Sequence, residues 1–159
     1  MAERIEKAKV DLADSRKRLD EVLDQVGDRW ETPVYSEEAA WNVQQLLVHL
    51  SISHQGLVNQ VIGAAEGREV VPPDFDLERY NRRSVEKRAD QTVAESRASL
   101  VASYQQLLDW LATVDDEAVL DKMGRHATLK MMSAEELLYE IVHHERLHAD
   151  DIARVLAIN

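Results

Sequence analysis

Two histidines four residues apart, His144 and His148, are the side chains in this sequence best spaced to do chemistry together. On an α-helix such a pair shares one face with Cβ atoms about 5–6 Å apart, so a nitrogen from each ring can reach the same ion. Imidazole is the commonest ligand for divalent transition metals, and two from one rigid element leave a third to come from elsewhere in the chain. A lone histidine on an apolar face is better read as a hydrogen-bonded core residue. Six histidines (His49, His54, His126, His143, His144 and His148) and no cysteine favour the metal reading, because disulfides, thiolate sites and a Cys nucleophile are all excluded.

The pair lies in a run without Gly or Pro from Ser133 to Asn159 that reads as one helix. Ser133 followed by Glu136 is a capping-box start, and Leu137, Ile141, Ile152 and Val155 recur at helical spacing. His144 and His148 continue that stripe between Ile141 and Ile152, on the face turned to the core.

Three more helices must position the rest. Ile5, Ala8, Leu12, Leu19, Val22 and Leu23 predict a first helix over Glu3–Gln25, stopped near Gly27. Residues 28–40, with Trp30, Pro33 and Tyr35, read as a loop whose aromatics cap one end of the core. A second helix is expected over Trp41–Glu66, with Asn42 and Gln45 as a capping box, Gly67 as the stop, and Val43, Leu46, Leu47, Leu50, Leu57 and Val61 as its stripe. His54 falls near the centre of that stripe and His49 on its flank, and spacing leaves the third ligand as either one. A connection of about 25 residues, 67–91, carries Pro72-Pro73 and a helix-prone polar stretch, Leu77–Arg88. Val93, Leu100, Val101, Tyr104, Leu107, Leu108 and Leu111 predict the third long helix over Thr92–Thr113. A short helical turn or loop begins at Asp115-Asp116-Glu117. Residues 124–132 form a non-helical approach to the last helix, an extended strap on which His126 is a surface residue unless the strap carries it inward. No convincing strands are visible. The expected fold is all-α: one domain spanning 1–159, a four-helix bundle with a long crossover connection between the second and third long helices, the architecture in which facing helices build metal sites.

Composition agrees. Hydrophobic residues make up 45% and charged residues 31% of 159 positions, the balance of a soluble globular chain. The formal net charge of −11 is spread as interleaved acidic and basic residues, which argues for solvated helix faces and against a nucleic-acid or anionic-lipid partner. The absence of an 18-residue apolar segment, with charges at Glu3 and Arg4, predicts a cytoplasmic protein that does not enter membranes.

His144-Glu145-Arg146-Leu147-His148 also matches His-Glu-x-x-His, the zinc-peptidase signature in which Glu is the general base. Such peptidases set this helix against a substrate-holding sheet, which is not expected here, and eleven residues after His148 leave no room for a downstream third ligand. Trp41-Asn42-Val43-Gln44-Gln45-Leu46-Leu47-Val48-His49-Leu50, together with His144-x-x-x-His148, more closely resembles the two motifs of the DinB-like family of metal-dependent enzymes. The resemblance extends to the long second connection and the strap, and so covers nearly the whole chain. It implies a divalent ion held by His49, His144 and His148, and ligation by histidine alone suits Zn, Ni, Fe, Co or Cu. It also implies a small-molecule substrate and an enzyme akin to the family's thiol-dependent S-transferases and isomerase, with a low-molecular-weight thiol as cosubstrate. Tyr80, Asn81, Arg83 and Arg146 are candidates for substrate contact. Where some thiol-transferase members carry a further His after the last ligand, this chain has Ala149-Asp150-Asp151, whose carboxylates could orient a ligand or form an outer acidic face. The competing class is a non-catalytic metal- or ligand-binding bundle, a stress protein or a homodimeric scaffold paired through exposed apolar residues of the first or third helix.

Overall fold

The computed structural model describes residues 2–35 and 40–159; Met1 and positions 36–39 of the expected loop lie outside the described residues. Four long helices form the bundle: α1 (Glu3–Asp24), α2 (Val43–Glu66), α4 (Val93–Leu111) and α5 (Ala134–Leu156). A shorter helix, α3 (Leu77–Lys87), sits inside the connection between α2 and α4. A 3-10 turn (Glu117–Asp121) and a hairpin of β1 (Met123–Arg125) and β2 (Met131–Ser133) lead into α5. The expected strap is thus a two-stranded antiparallel ribbon. Three-residue strands carry too little alternation to show in sequence.

The ends of these helices follow from their residues. Asn42 and Gln45 close a reciprocal capping box on α2, and Ser133 and Glu136 close one on α5. Gly67 ends α2 in the left-handed region at φ 73°. α1 has no side-chain cap of its own; the Ile5 N–H donates instead to Glu117 Oε2 at 3.0 Å, from the turn before the hairpin.

α1 packs on α5, α5 on α2, and α2 on α4. The apolar core falls into two halves. One is built around Leu12, Leu57, Leu107 and Ile141, the other around Leu19, Leu50, Leu100 and Ile152. Between them lies a polar layer: Ser15 and Arg16 of α1, His49 and His54 of α2, Ser103 of α4, and Glu145 and His148 of α5 are all buried. Trp30, Val34, Tyr35 and Trp41 pack against the second half, as expected of a loop that caps the core.

Small residues let the crossover and hairpin close on α2. A Cβ added at Gly63 would lie 2.3 Å from Val70 Cγ2, and one added at Gly124 would lie 2.7 Å from Ala64 Cβ. Arg125 ties the two segments together, donating to Glu69 Oε1 at 2.6 Å and to the Val71 carbonyl at 2.8 Å.

Candidate metal centre

The polar layer contains two groups on different faces of α5. On the face toward α2, the rings of His49, His144 and His148 converge, with a ligating atom from each within 4.8 Å of the others. The His144 Nε2 lies 2.9 Å from His148 Nε2 and 3.3 Å from His49 Nε2. Nitrogens about 2.0–2.1 Å from a common ion, at octahedral or tetrahedral angles, would be separated by about 2.9–3.4 Å. The donor set and its spacing therefore fit a divalent transition ion.

The other ring nitrogens are held from outside. Tyr35 Oη is 2.8 Å from His148 Nδ1 and donates its own proton to Asp151 Oδ2. With that proton committed to Asp151, Tyr35 accepts from His148 Nδ1–H, which leaves the Nε2 lone pair facing its partners. Burial, followed by the bond to Asp151, pushes the Tyr35 phenol well above its ordinary range, so the proton stays on the oxygen. Arg154 donates to the second Asp151 oxygen at 3.1 Å. Ser53 Oγ lies 3.3 Å from His144 Nδ1, and the His49 ring stacks on Trp41 with centroids 4.7 Å apart. Of the two acidic residues after His148, Asp151 is the one that faces the ligands; Asp150 is exposed, 3.7 Å from Arg18.

All three imidazoles are held neutral. Burial pushes His49 down to about 3, with the neighbouring His148 adding to it; burial also lowers His144 well below its usual range, and lowers His148 against the opposing pull of Asp151. Because the unfolded chain takes up these protons near pH 6.5 and the folded chain does not, stability of the metal-free protein is full above that pH. It falls as pH drops from about 6.5 toward 3, by roughly 1.4 kcal/mol per pH unit for each histidine still neutral. Chemical denaturation of chelator-treated protein at stepped pH would check this, and a flat profile between pH 6.5 and 4 would contradict it.

The second group faces away from the ligands. Glu145 is 0% exposed and accepts from Ser15 Oγ at 2.8 Å, Arg16 Nε at 3.1 Å, Arg16 Nη2 at 2.9 Å and His54 Nε2 at 2.5 Å. Arg16 also donates to the Leu100 carbonyl at 3.1 Å, and His54 Nδ1 meets Ser103 Oγ at 3.2 Å. The choice between His49 and His54 is thereby explained: His54 belongs to this ion network, and His49 joins the pair on α5. The central Glu of His-Glu-x-x-His is likewise occupied by Arg16 and His54, on the wrong side of α5 to serve as a general base for the histidine centre.

A cavity of about 440 Å³ opens from His49 and His144. Ile52, Leu57, Val71, Pro72 and Phe75 form its apolar walls, and Ser53, Gln60, Tyr80, Asn81, His126 and Glu140 its polar ones. Tyr80 and Asn81 are thus brought to the centre, and the hairpin carries His126 inward. Arg83 lines neither this cavity nor a recess of about 550 Å³ between α3 and the start of α2, where Arg82 and Arg88 lie. Arg146 is exposed on the outer side of α5, where its charge adds to the effect of Lys7 and Tyr139 in holding the Asp11 carboxyl low. His143 is exposed near Tyr139. Sequence reasoning missed Tyr35, Gln60 and Glu140. Glu140-x-x-x-His144-x-x-x-His148 continues the ligand row by one turn, a signal that could have found the last of these.

Four long helices with a crossover, and three converging imidazoles between two of them, define a class of bundle built around a histidine cluster. The DinB superfamily model matches residues 11–152, and the chain belongs to that family. No curated protein sequence matches it. Among solved structures, YfiT from Bacillus subtilis, described as a probable metal-dependent hydrolase with an unusual four-helix bundle topology, aligns with TM-score 0.73 at 20% identity. The alignment covers 97% of this chain and 88% of that one. No helix among the described residues is long and apolar enough to cross a membrane.

Proposed function

We propose that this protein is a metal-dependent enzyme that activates a small nucleophile at His49, His144 and His148 for attack on a substrate held in the adjoining cavity. The observation that carries the reading is the convergence of three neutral imidazoles, each with one nitrogen free for an ion, at the end of a cavity large enough for a small molecule. A divalent ion held there would supply Lewis acidity and lower the pKa of a water or thiol nucleophile.

The chain's own groups have separate tasks. Asp151 and Tyr35 keep the His148 proton on Nδ1, and Ser53 and Trp41 set the other two rings. Ile52, Leu57, Val71 and Phe75 give the substrate side an apolar wall. The finer reading is transfer to a low-molecular-weight thiol, as the resemblance to thiol-dependent S-transferases implies. It is favoured by the engagement of Glu145 with Arg16 and His54: a thiol, with an ordinary pKa of about 8.5, needs less help than water in losing its proton. Hydrolysis, the activity ascribed to YfiT, is the second reading.

Cobalt-loaded protein titrated with a small thiol tests the choice. A thiol-dependent change in the cobalt absorption, with turnover of thiol-reactive electrophiles, supports S-transfer. No spectral response to saturating thiol, with cleavage of esters or amides, supports hydrolysis. No spectral response and no turnover of either kind would leave a non-catalytic bundle and overturn the proposal.

A further inference from the structure

The hairpin supplies part of the cavity wall, and its tip fixes the state of one ring. His126 and Ala127 line the cavity together with His49 and His144, while Thr128, next in the turn, does not. Two backbone bonds close the turn, from the His126 N–H to the Lys130 carbonyl and from the Leu129 N–H to the His126 carbonyl, both at 2.8 Å. Leu129 is thereby held in the left-handed region at φ 73°, which residues with a side chain rarely adopt. Backbone strain of this kind persists where the surrounding structure over-determines it, and here it holds His126.

The turn also determines which ring nitrogen carries the hydrogen. The Thr128 N–H donates to His126 Nδ1 at 3.2 Å, and Thr128 Oγ1 lies 2.8 Å from the same atom. A backbone N–H can only donate, so Nδ1 presents its lone pair and the neutral ring keeps its hydrogen on Nε2. With the Nδ1 edge turned to Thr128, outside the cavity, the opposite edge of the ring is the one left to the cavity. Nε2 has no hydrogen-bond partner within the described residues, among which Gln60 Oε1 is the single buried side-chain nitrogen or oxygen without one. The Nε2–H is therefore accessible. Burial pushes His126 below its ordinary value against the pull of Glu140, and Lys130 adds to the lowering. Positive charge at the histidine centre would oppose protonation further. His126 thus acts as a donor and not as a base, whereas Tyr80 and Asn81 can donate or accept.

We infer that His126 is a catalytic residue whose Nε2–H donates to a carbonyl oxygen of the substrate, so that the site takes carbonyl electrophiles. The inference deepens the proposed function and rests on it for the assignment of the cavity as the substrate site. As the nucleophile bonds to the carbonyl carbon, the π electron pair moves to the oxygen, and Nε2–H stabilises the charge there without giving up its proton. The role is the same for a thiol and for a water nucleophile.

Heteronuclear NMR of the histidine rings and a pair of isosteric probes test it. The probes are acetophenone and isopropenylbenzene, which differ by the exchange of the carbonyl oxygen for a methylene group. On metal-free and on zinc-loaded protein, His126 is expected to show a protonated Nε2 and a bare Nδ1, and acetophenone alone should shift the Nε2 signal. The ratio of acetophenone to isopropenylbenzene affinity should fall about tenfold in His126→Phe, the loss of one hydrogen bond, with zinc uptake unchanged. His126→Gln, which keeps an N–H donor, should recover part of that ratio; a merely structural role would give both variants the same loss. A hydrogen on Nδ1, an unchanged ratio in His126→Phe, a ratio that falls only with zinc bound, or no binding of acetophenone would each overturn the inference. The predicted ratio change in a protein that takes up no zinc would keep it and overturn the metal-dependent reading. Zinc uptake with no ratio change would keep that reading and overturn the role of His126.

Discussion

Replacing Arg16 with methionine is expected to destabilise the protein by about 3–5 kcal/mol, since it leaves the Glu145 carboxylate buried without its main counter-charge. Arg16 and Glu145 are both buried, and the guanidinium bonds the carboxylate through two nitrogens. Methionine keeps most of the side-chain volume that packs over Tyr104 but loses the charge and the bond to the Leu100 carbonyl. Adding Glu145→Gln should recover much of the loss, because an amide is neutral and can still accept from His54. Urea denaturation of the two single variants and the double variant measures the coupling. A loss under about 1 kcal/mol in Arg16→Met, or strictly additive effects, would show that the network does not hold the bundle. Its position gives it a second consequence. It joins all four long helices at mid-height, which fixes the rotation of α5 and so aims His144 and His148 at α2.

Tyr35→Phe is expected to weaken metal binding by about 10–100-fold, the usual cost of removing the group that orients a ligand histidine. The phenylalanine ring would keep the packing against the second half of the core while His148 Nδ1 loses its nearest partner, leaving Asp151 at 3.5 Å. Asp151→Asn should weaken binding in the same direction, and the double variant should be little worse than the worse single one. Competition with a chromophoric zinc chelator reads these affinities. Unchanged affinity in both would show that the Tyr35–Asp151 pair serves packing alone.

Much of the bundle was legible because its signals are local. The capping boxes at Asn42 and Ser133, the stop at Gly67 and the stripes of the four long helices each depend on residues within a few positions. The His144–His148 pair belongs to the same category, since one helix determines its geometry. The third histidine does not. His49 and His54 both face the interior of α2, and what separates them is Glu145 and Arg16, contributed by two other helices. Those two charges could have been suspected, because Arg16 falls between Leu12 and Leu19, and Glu145 between Ile141 and Ala149, each interrupting an apolar stripe with a charge the other complements. Taken singly, a charge within an apolar stripe does not reveal its partner on another helix. Tyr35 reaches His148 from a loop more than a hundred residues away in sequence, and helical periodicity says nothing about such a contact. Arg83 and Arg146, expected to contact substrate, are not among the residues lining the cavity beside the histidines, which includes no Lys or Arg among the described residues.

The most direct test of the central claim is metal content. Protein expressed without an affinity tag, dialysed against a mixture of divalent ions and freed of excess, is analysed for metals beside a His144→Ala variant whose helicity and melting are checked. His144 is the ring adjacent to both of the others, so its loss should break the centre. The account predicts about one divalent transition ion per chain in the parent and almost none in the folded variant, as loss of one of three ligands requires. Equal metal content in the two, or none in the parent under any loading, would contradict it and leave the three histidines as packing in the core of the bundle.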